Sequence, residues 1–174
     1  YTPREIVDYM ITESLKGYFR IHLENTEGIE EKLDNLFSNQ NKENPWAEQE
    51  TRKIVRLIDN LRIVDPACGS GAFPMGVLNK LVFILSKLDP DNELWKEAQL
   101  NALDKNITDP MLKNRLKEQT IKQFAEKNSD YGRKLYLIQK CIYGVDIQQI
   151  AVEIAKLRFF IALLVDETID KTKR

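Results

Sequence analysis

The apolar positions predict helices in the first third of the chain. From Arg4 to Leu23 they recur at helical spacing, behind a Thr2-Pro3 start that is typical of an N-cap followed by a first-turn proline. The polar stretch 25–44 predicts one short helix and then a loop, and the pattern from Glu48 to Leu61 predicts another helix. Residues 1–61 are therefore interpreted as an N-terminal helical segment.

A different pattern begins at Arg62. "RIVDPA" predicts a short buried strand, and residues 72–88 are apolar over most of a helical circumference, as in a helix packed on a sheet. "CIYGVDI", residues 141–147, predicts a second strand, which the helical pattern from Ile150 to Val165 follows. Two strands, each followed by an apolar helix, indicate a parallel α/β sheet. Residues 62–174 are interpreted as a partial α/β core.

A polar, lysine-rich stretch at about 89–140 separates the two strands. Helix start signals stand at Asp109-Pro110 and Ser129-Asp130, so the stretch predicts a helical insertion. The simplest interpretation is a charged, solvated helical pair. The alternative is an interaction module built around residues 93–140.

Composition narrows the functional classes. Lys and Arg number 26 against 27 Asp and Glu, whereas a DNA-coating module is far more basic. No apolar run reaches the roughly 20 residues that a membrane span needs. Cys68 and Cys141 lack CxxC spacing and His22 is the only histidine, which argues against a disulfide framework or a zinc site and favours the cytoplasm. A chain that begins with Tyr1 is expected to be an internal piece of a longer protein.

The stretch from Asp65 to Gly71 lies at the carboxyl end of the first predicted strand. Parallel α/β sheets bind their ligands at this end of their strands. Gly69 and Gly71 lack a Cβ, so the chain can turn with positive φ and a ligand can lie against bare backbone N–H groups. A plain strand-to-helix turn is the alternative. Asp146 ends the second strand, where an acidic residue can accept hydrogen bonds from ribose hydroxyls. It lies about 80 residues from the glycines instead of the usual 20 or so, and an N-cap role for the next helix is equally open.

Three blocks carry a family resemblance: "YTPREIVDYM", "DPACGSGAF" and "YGVDIQQIAVEIAKLRFFIALL". They resemble adenine-specific DNA methyltransferases of the amino-methylating class, and more closely the methylase region of type II restriction enzymes that join cleavage and modification in one chain. The blocks stand in the order of that class. The resemblance implies part of a Rossmann-like class I S-adenosylmethionine-dependent methyltransferase core, with N-terminal helices and a helical insertion, from a bacterial or archaeal cytoplasm.

The resemblance also implies an S-adenosylmethionine site. The family's N-terminal motif, which contacts the methionine part of the cofactor, matches Tyr1, Thr2 and Pro3. The loop around the methionine and its sulfonium matches Asp65, Pro66, Ala67, Cys68, Gly69, Ser70, Gly71 and Phe73. Asp146 matches the ribose-binding acid and Ile147 the residue beside the adenine ring, although Gln148 and Gln149 replace the Asp-Pro that often follows. Cys68 is interpreted as a small loop residue rather than a reactive thiol. Methyl transfer needs no metal, and Mg²⁺ is expected only if a nuclease domain exists elsewhere.

The family's base-binding motif of the "NPPY" type is missing after Leu164, and Asn44-Pro45-Trp46 imitates it on the wrong side of the glycine loop. No catalytic residue is therefore assigned in this chain. The prediction is a cofactor-binding part whose full-length protein methylates the exocyclic amine of adenine and contacts double-stranded DNA mostly through other segments. The alternatives are methylation of RNA or of a protein glutamine, and a non-catalytic helical interaction module.

Overall fold

The computed structural model describes residues 2–39, 44–126 and 129–169. The elements over these residues are α1 (Arg4–His22), α2 (Ile29–Phe37), α3 (Glu48–Asn60), β1 (Ile63–Asp65), α4 (Ala72–Leu88), α5 (Glu93–Asn106), α6 (Pro110–Glu126), α7 (Ser129–Lys140), β2 (Ile142–Gly144) and α8 (Gln149–Ile169). The helices and strands predicted from the apolar pattern are all present.

The two strands pair in parallel, with Ile63 opposite Ile142 and Asp65 opposite Gly144. After the insertion, the chain therefore returns to lie beside β1. The long sequence separation between the glycines and Asp146 no longer argues against a shared site. The prediction that the first strand is buried is wrong for one face of the pair. Val64 is 61% exposed and Tyr143 is 45% exposed, whereas Ile142 on the other face is buried against the helices.

Helix α4 is the centre of the core and contacts α1, α2, α3, α7, α8 and β2. Its residues Leu78, Leu81, Ile84 and Leu85 are fully buried, as the apolar pattern predicted. Helix α1 packs closely on it, because a Cβ on Gly76 would lie 2.6 Å from Cδ1 of Ile11. The backbone of α4, and with it the glycine loop at its start, is thereby fixed from several sides.

The start of α1 differs from the prediction. Pro3, not Thr2, occupies the N-cap position, with φ −57° and ψ 143°, and no side chain caps the helix. The Pro3 carbonyl accepts hydrogen bonds from the N–H groups of Ile6 and Val7. An extended ψ at Pro3 leaves the ring outside the first turn, so the helix begins one residue later than expected.

Over its described residues, the inserted stretch forms three helices instead of a pair. Helices α6 and α7 begin at Pro110 and Ser129, as the start signals predicted. The expectation of a solvated pair is wrong for α5 and α7, because Trp95 and Leu137 belong to the core and Arg133 is 2% exposed. Across the described ranges, no helix is long and apolar enough to cross a membrane.

Candidate functional site

The loops that follow the two strands lie side by side. The N–H of Val145 donates to the carbonyl of Asp65 at 2.9 Å, and the N–H of Cys68 donates to the carbonyl of Val145 at 3.0 Å. These bonds continue the parallel pairing beyond the strands. The glycine loop and the loop that carries Asp146 therefore form one surface at the carboxyl ends of β1 and β2.

Asp146 joins the two loops through its carboxylate. Oδ2 accepts the N–H of Gly69 at 2.8 Å, and Oδ1 accepts the N–H of Gln148 at 2.8 Å. The bonds from Gln148 and Gly69 hold the pKa of the Asp146 carboxyl below its usual value. The N-cap interpretation is wrong, because the carbonyl of Gln148 accepts the first hydrogen bonds of α8 and Asp146 lies two residues earlier.

Cys68 lies near both carboxylates of the site. Burial raises the pKa of its thiol, and the negative charges of Asp65 and Asp146 raise it further. Its sulfur packs on the opposing strand, because a Cβ on Gly144 would lie 2.9 Å from Sγ of Cys68. These observations agree with the prediction of a small, unreactive loop residue.

The glycines have the predicted conformation. Gly69 has φ 51° and Gly71 has φ 81°, and Gly71 is the N-cap of α4. Left-handed backbone of this kind is strained for residues that carry a Cβ. A Cβ on Gly71 would also lie 2.9 Å from the Cβ of Ala155 on α8. Gly71 therefore meets two requirements, a left-handed φ and a close approach of two helices.

The prediction of bare N–H groups along the loop is wrong at several positions. The N–H of Ala67 donates to Oδ1 of Asp65 at 3.1 Å, and the N–H of Gly71 donates to the carbonyl of Cys68 at 2.8 Å. The N–H of Cys68 donates to the Val145 carbonyl, and the N–H of Gly69 donates to Asp146. The donors that remain in this loop are at Ser70 and in the first turn of α4.

The site therefore offers a ligand mainly hydrogen-bond acceptors. The carboxylates of Asp65 and Asp146 are half-buried, and each of their oxygens can accept more hydrogen bonds than it receives from the backbone. Such a surface suits a ligand with hydroxyl or ammonium donors. A phosphate would meet two carboxylates and no lysine in the loop.

The other predicted contact residues are distributed as follows. Ile147 is fully exposed beside Asp146, and Phe73 is half-buried against the core. Pro66 is exposed next to Asp65. Thr2 and Pro3 are exposed at the start of α1, which packs on α4, the helix that follows the glycine loop. Tyr1 lies outside the described residues.

Two residues of α8 were missed from the sequence. Nη1 of Arg158 donates to the carbonyl of Ser70 at 3.0 Å, and Ala155 packs against Gly71. The available signal was a small residue and a cationic residue three positions apart, which makes them neighbours on one face of the helix. Nothing in a local pattern shows that this face of the helix meets the glycine loop.

Among the described residues, no group of three or more His, Cys, Asp or Glu side chains is arranged to hold a metal ion. A cavity lined by Arg52, Val55 and Leu94 lies between α3 and α5, away from the two loops. The candidate site is an exposed surface with two carboxylates, and the apolar residues Pro66 and Ile147 lie beside them.

Comparison with known proteins gives a distant relationship to a protein named for restriction and modification. Over its whole length the chain is similar to part of a Methanocaldococcus jannaschii protein that carries the provisional name type II restriction enzyme and methyltransferase RM.MjaORFECS2P. The two are 27% identical over 180 residues, which are 100% of this chain and 12% of the relative. No family model matches, and no solved structure matches. The similarity agrees with the resemblance seen in the motifs, at the coarse level of restriction–modification methyltransferases.

Proposed function

We propose that this chain is the S-adenosylmethionine-binding part of a restriction–modification DNA adenine methyltransferase. The observation that carries the proposal is the Asp146 carboxylate, which bonds to Gly69 where two adjacent parallel strands end. The distant relative supports the restriction–modification context. The chain spans only 12% of that relative, so the activity is proposed for a protein of which this chain is a part.

The chemistry of the cofactor fits the acceptor character of the site. S-adenosylmethionine carries an ammonium, ribose hydroxyls and a sulfonium, and it has no phosphate. In our proposal the Asp146 carboxylate accepts the ribose hydroxyls, and the Asp65 carboxylate attracts the cationic methionine part. Ile147, which is fully exposed, offers an apolar surface to the adenine. Gly69 and Gly71 permit close approach, since neither has a side chain.

The proposed fold is a Rossmann-like core that further strands complete. Parallel sheets are normally covered on both faces, yet Val64 and Tyr143 are exposed here. Helix α8 also exposes an apolar stripe at helical spacing, formed by Ile150, Ile154, Leu157 and Ile161. A right-handed crossover from β2 through α8 would place another parallel strand beside β2, beneath this stripe.

The bound cofactor supplies an electrophilic methyl group, and the residues of this chain position it. Positioning alone can account for a large part of the rate of a two-substrate reaction. In this mechanism Asp146 fixes the ribose, and the Gly69–Gly71 turn fixes the methionine side. The groups that hold the flipped adenine are proposed to lie in other segments, because Asn44-Pro45-Trp46 stands before the glycine loop in the chain.

The first test is calorimetric titration of the folded chain with S-adenosylmethionine. We expect the unsubstituted chain to bind and Asp146→Ala to bind about tenfold more weakly or worse, because charge-assisted hydrogen bonds to the ligand are lost. Asp34→Ala is the matched control, since Asp34 is an exposed carboxylate on α2 that pairs with Lys16. ATP in place of the cofactor is expected to show no binding. Preference for ATP, or equal affinity in Asp146→Ala and Asp34→Ala, would contradict the assignment.

The acceptor is tested separately with a protein that includes the segments beyond this chain. Labelled methyl transfer is measured to double-stranded DNA, RNA and protein. Methylated adenine in DNA is the expected product. Transfer confined to RNA or to a protein glutamine would retain the cofactor site and refute the DNA assignment.

A further inference from the structure

We propose that Arg158 and Ala155 on α8 are positioning residues, which hold the Ser70–Gly71 peptide of the glycine loop in its ligand-binding conformation. The proposal rests on the proposed function, because it concerns the same site. Both lie in the third block that carries the family resemblance, but the resemblance assigns neither of them a contact with the cofactor. Both act through the loop backbone.

The Ser70–Gly71 peptide is held on both of its edges. Its carbonyl accepts a hydrogen bond from Nη1 of Arg158 at 3.0 Å. Its N–H donates to the carbonyl of Cys68 at 2.8 Å. Because a peptide unit is planar, two bonds on opposite edges fix its rotation about the chain direction. The Arg158 side chain supplies one of those two bonds.

Because position 71 is a glycine, the hydrogen bond from Arg158 is needed to hold this peptide. A residue without a Cβ has a broad range of φ, so side-chain sterics do not hold the peptide in place. Ala155 limits the remaining freedom by contact, since the Cβ position of Gly71 lies 2.9 Å from the Cβ of Ala155 and 3.3 Å from its Cα. Without Arg158, the peptide can rotate away from the Cys68 carbonyl and change the shape of the turn.

The segment from Asp146 to Arg158 contacts three consecutive loop residues. Asp146 accepts the N–H of Gly69, Arg158 donates to the carbonyl of Ser70, and Ala155 packs on Gly71. The second loop and its helix therefore set the conformation of the first loop residue by residue. Ligand binding depends on α8 through this contact, although α8 lies outside the predicted ligand contacts.

The test compares Arg158→Met with Arg158→Lys and with the control Lys156→Met. Lys156 is an exposed cation on the same helix, and it pairs with Glu153 instead of the loop. For Arg158→Met we expect S-adenosylmethionine to bind about five- to tenfold more weakly, which is the usual size of one lost hydrogen bond. Arg158→Lys is expected to restore part of the affinity, and Lys156→Met to match the unsubstituted chain.

Two further measurements separate a positioning role from a general loss of structure. The urea midpoint of Arg158→Met is expected to stay unchanged, while exchange of the Gly71 amide hydrogen becomes faster in the ligand-free protein. Ala155→Val, which adds methyl groups against Gly71, is expected to weaken binding by a similar factor with Arg158 still present.

The outcomes that overturn the proposal are distinct from failure of the proposed function. If the unsubstituted chain binds and Arg158→Met binds as well as Lys156→Met, the positioning role is wrong and the cofactor assignment stands. Unchanged Gly71 amide exchange in Arg158→Met would also overturn it. If no variant binds the cofactor, the proposed function fails, and the exchange rates still decide whether Arg158 holds the loop.

Discussion

Two aspartates of this protein, Asp89 and Asp146, use the same chemistry in opposite surroundings. Asp89 follows α4, and its oxygens accept the N–H groups of Leu94 at 3.2 Å and Trp95 at 2.8 Å in the first turn of α5. Asp89 is 4% exposed, and Arg133 donates to its backbone carbonyl. Its carboxylate begins a helix inside the core.

Asp146 also accepts two backbone N–H groups, but they come from two different loops and the side chain is only half-buried. Its remaining acceptor capacity therefore lies where a ligand can reach it. The comparison shows that backbone hydrogen bonds alone do not distinguish a structural carboxylate from a binding one. The burial of the side chain and the capacity left over make the difference.

The largest expected effect tests the structural side of this comparison. Arg133→Met removes the buried guanidinium that donates to Oδ1 of Asn92, to the Asp89 carbonyl and, at 3.1 Å, to the Pro90 carbonyl. Acceptors left unsatisfied in the core are costly, so we expect the free energy of unfolding in urea to fall by about 3 kcal/mol. Arg115→Met on the exposed side of α6 is the control, with an expected change under about 0.5 kcal/mol. A loss no larger than that of the control would contradict the structural role.

The next effect comes from the matched pair Asp89→Asn and Asp146→Asn. Each amide keeps one acceptor oxygen and loses the charge. Asp89→Asn is expected to lower the free energy of unfolding by about 1–2 kcal/mol and to leave S-adenosylmethionine affinity unchanged. Asp146→Asn is expected to weaken binding several-fold, with a smaller change in the urea midpoint. Loss of affinity in both variants to the same extent would remove the distinction between the two aspartates.

A smaller effect is expected in acid. The pKa of Asp146 is lowered in the folded protein because its carboxylate accepts the Gln148 and Gly69 N–H groups. A folded pKa below the unfolded value stabilises the protein above the unfolded pKa, and this contribution is lost as pH falls through the folded pKa. The difference in unfolding free energy between the unsubstituted chain and Asp146→Ala should be full at pH 7 and shrink below about pH 4. A difference that is independent of pH would mean that the charge is unimportant.

The smallest expected effect concerns the two thiols. Burial raises the pKa of Cys141 to about 11, and its thiol donates to the Ile58 carbonyl at 3.6 Å. At pH 8 both Cys141 and Cys68 are expected to be protonated and to react more slowly than free cysteine with a thiol-specific disulfide reagent. Cys68, which is half-exposed, should react first and be protected by S-adenosylmethionine. Faster labelling of Cys141 would contradict the burial of its side chain beside Ile58.

The local features of this protein were predictable from its amino-acid pattern. The apolar spacing predicted α4 from Ala72 to Leu88 with its observed ends, and the β-branched residues predicted both strands. The positive φ of Gly69 and Gly71 was predictable because it depends on the missing Cβ. These features follow from interactions within a few residues, which a pattern along the chain contains.

The contacts between residues far apart in the sequence became known from the fold. It paired strands about 80 residues apart, brought α5 and α7 into the core, and placed Arg158 on the Ser70 carbonyl. It also showed that protein acceptors already use most N–H groups of the glycine loop, which turned an expected donor surface into an acceptor surface. The physical reason is that a hydrogen bond or a close contact depends on the position of both partners. The sequence shows what each residue can donate, accept or bury, and the fold determines whether that capacity is used or remains available to a ligand.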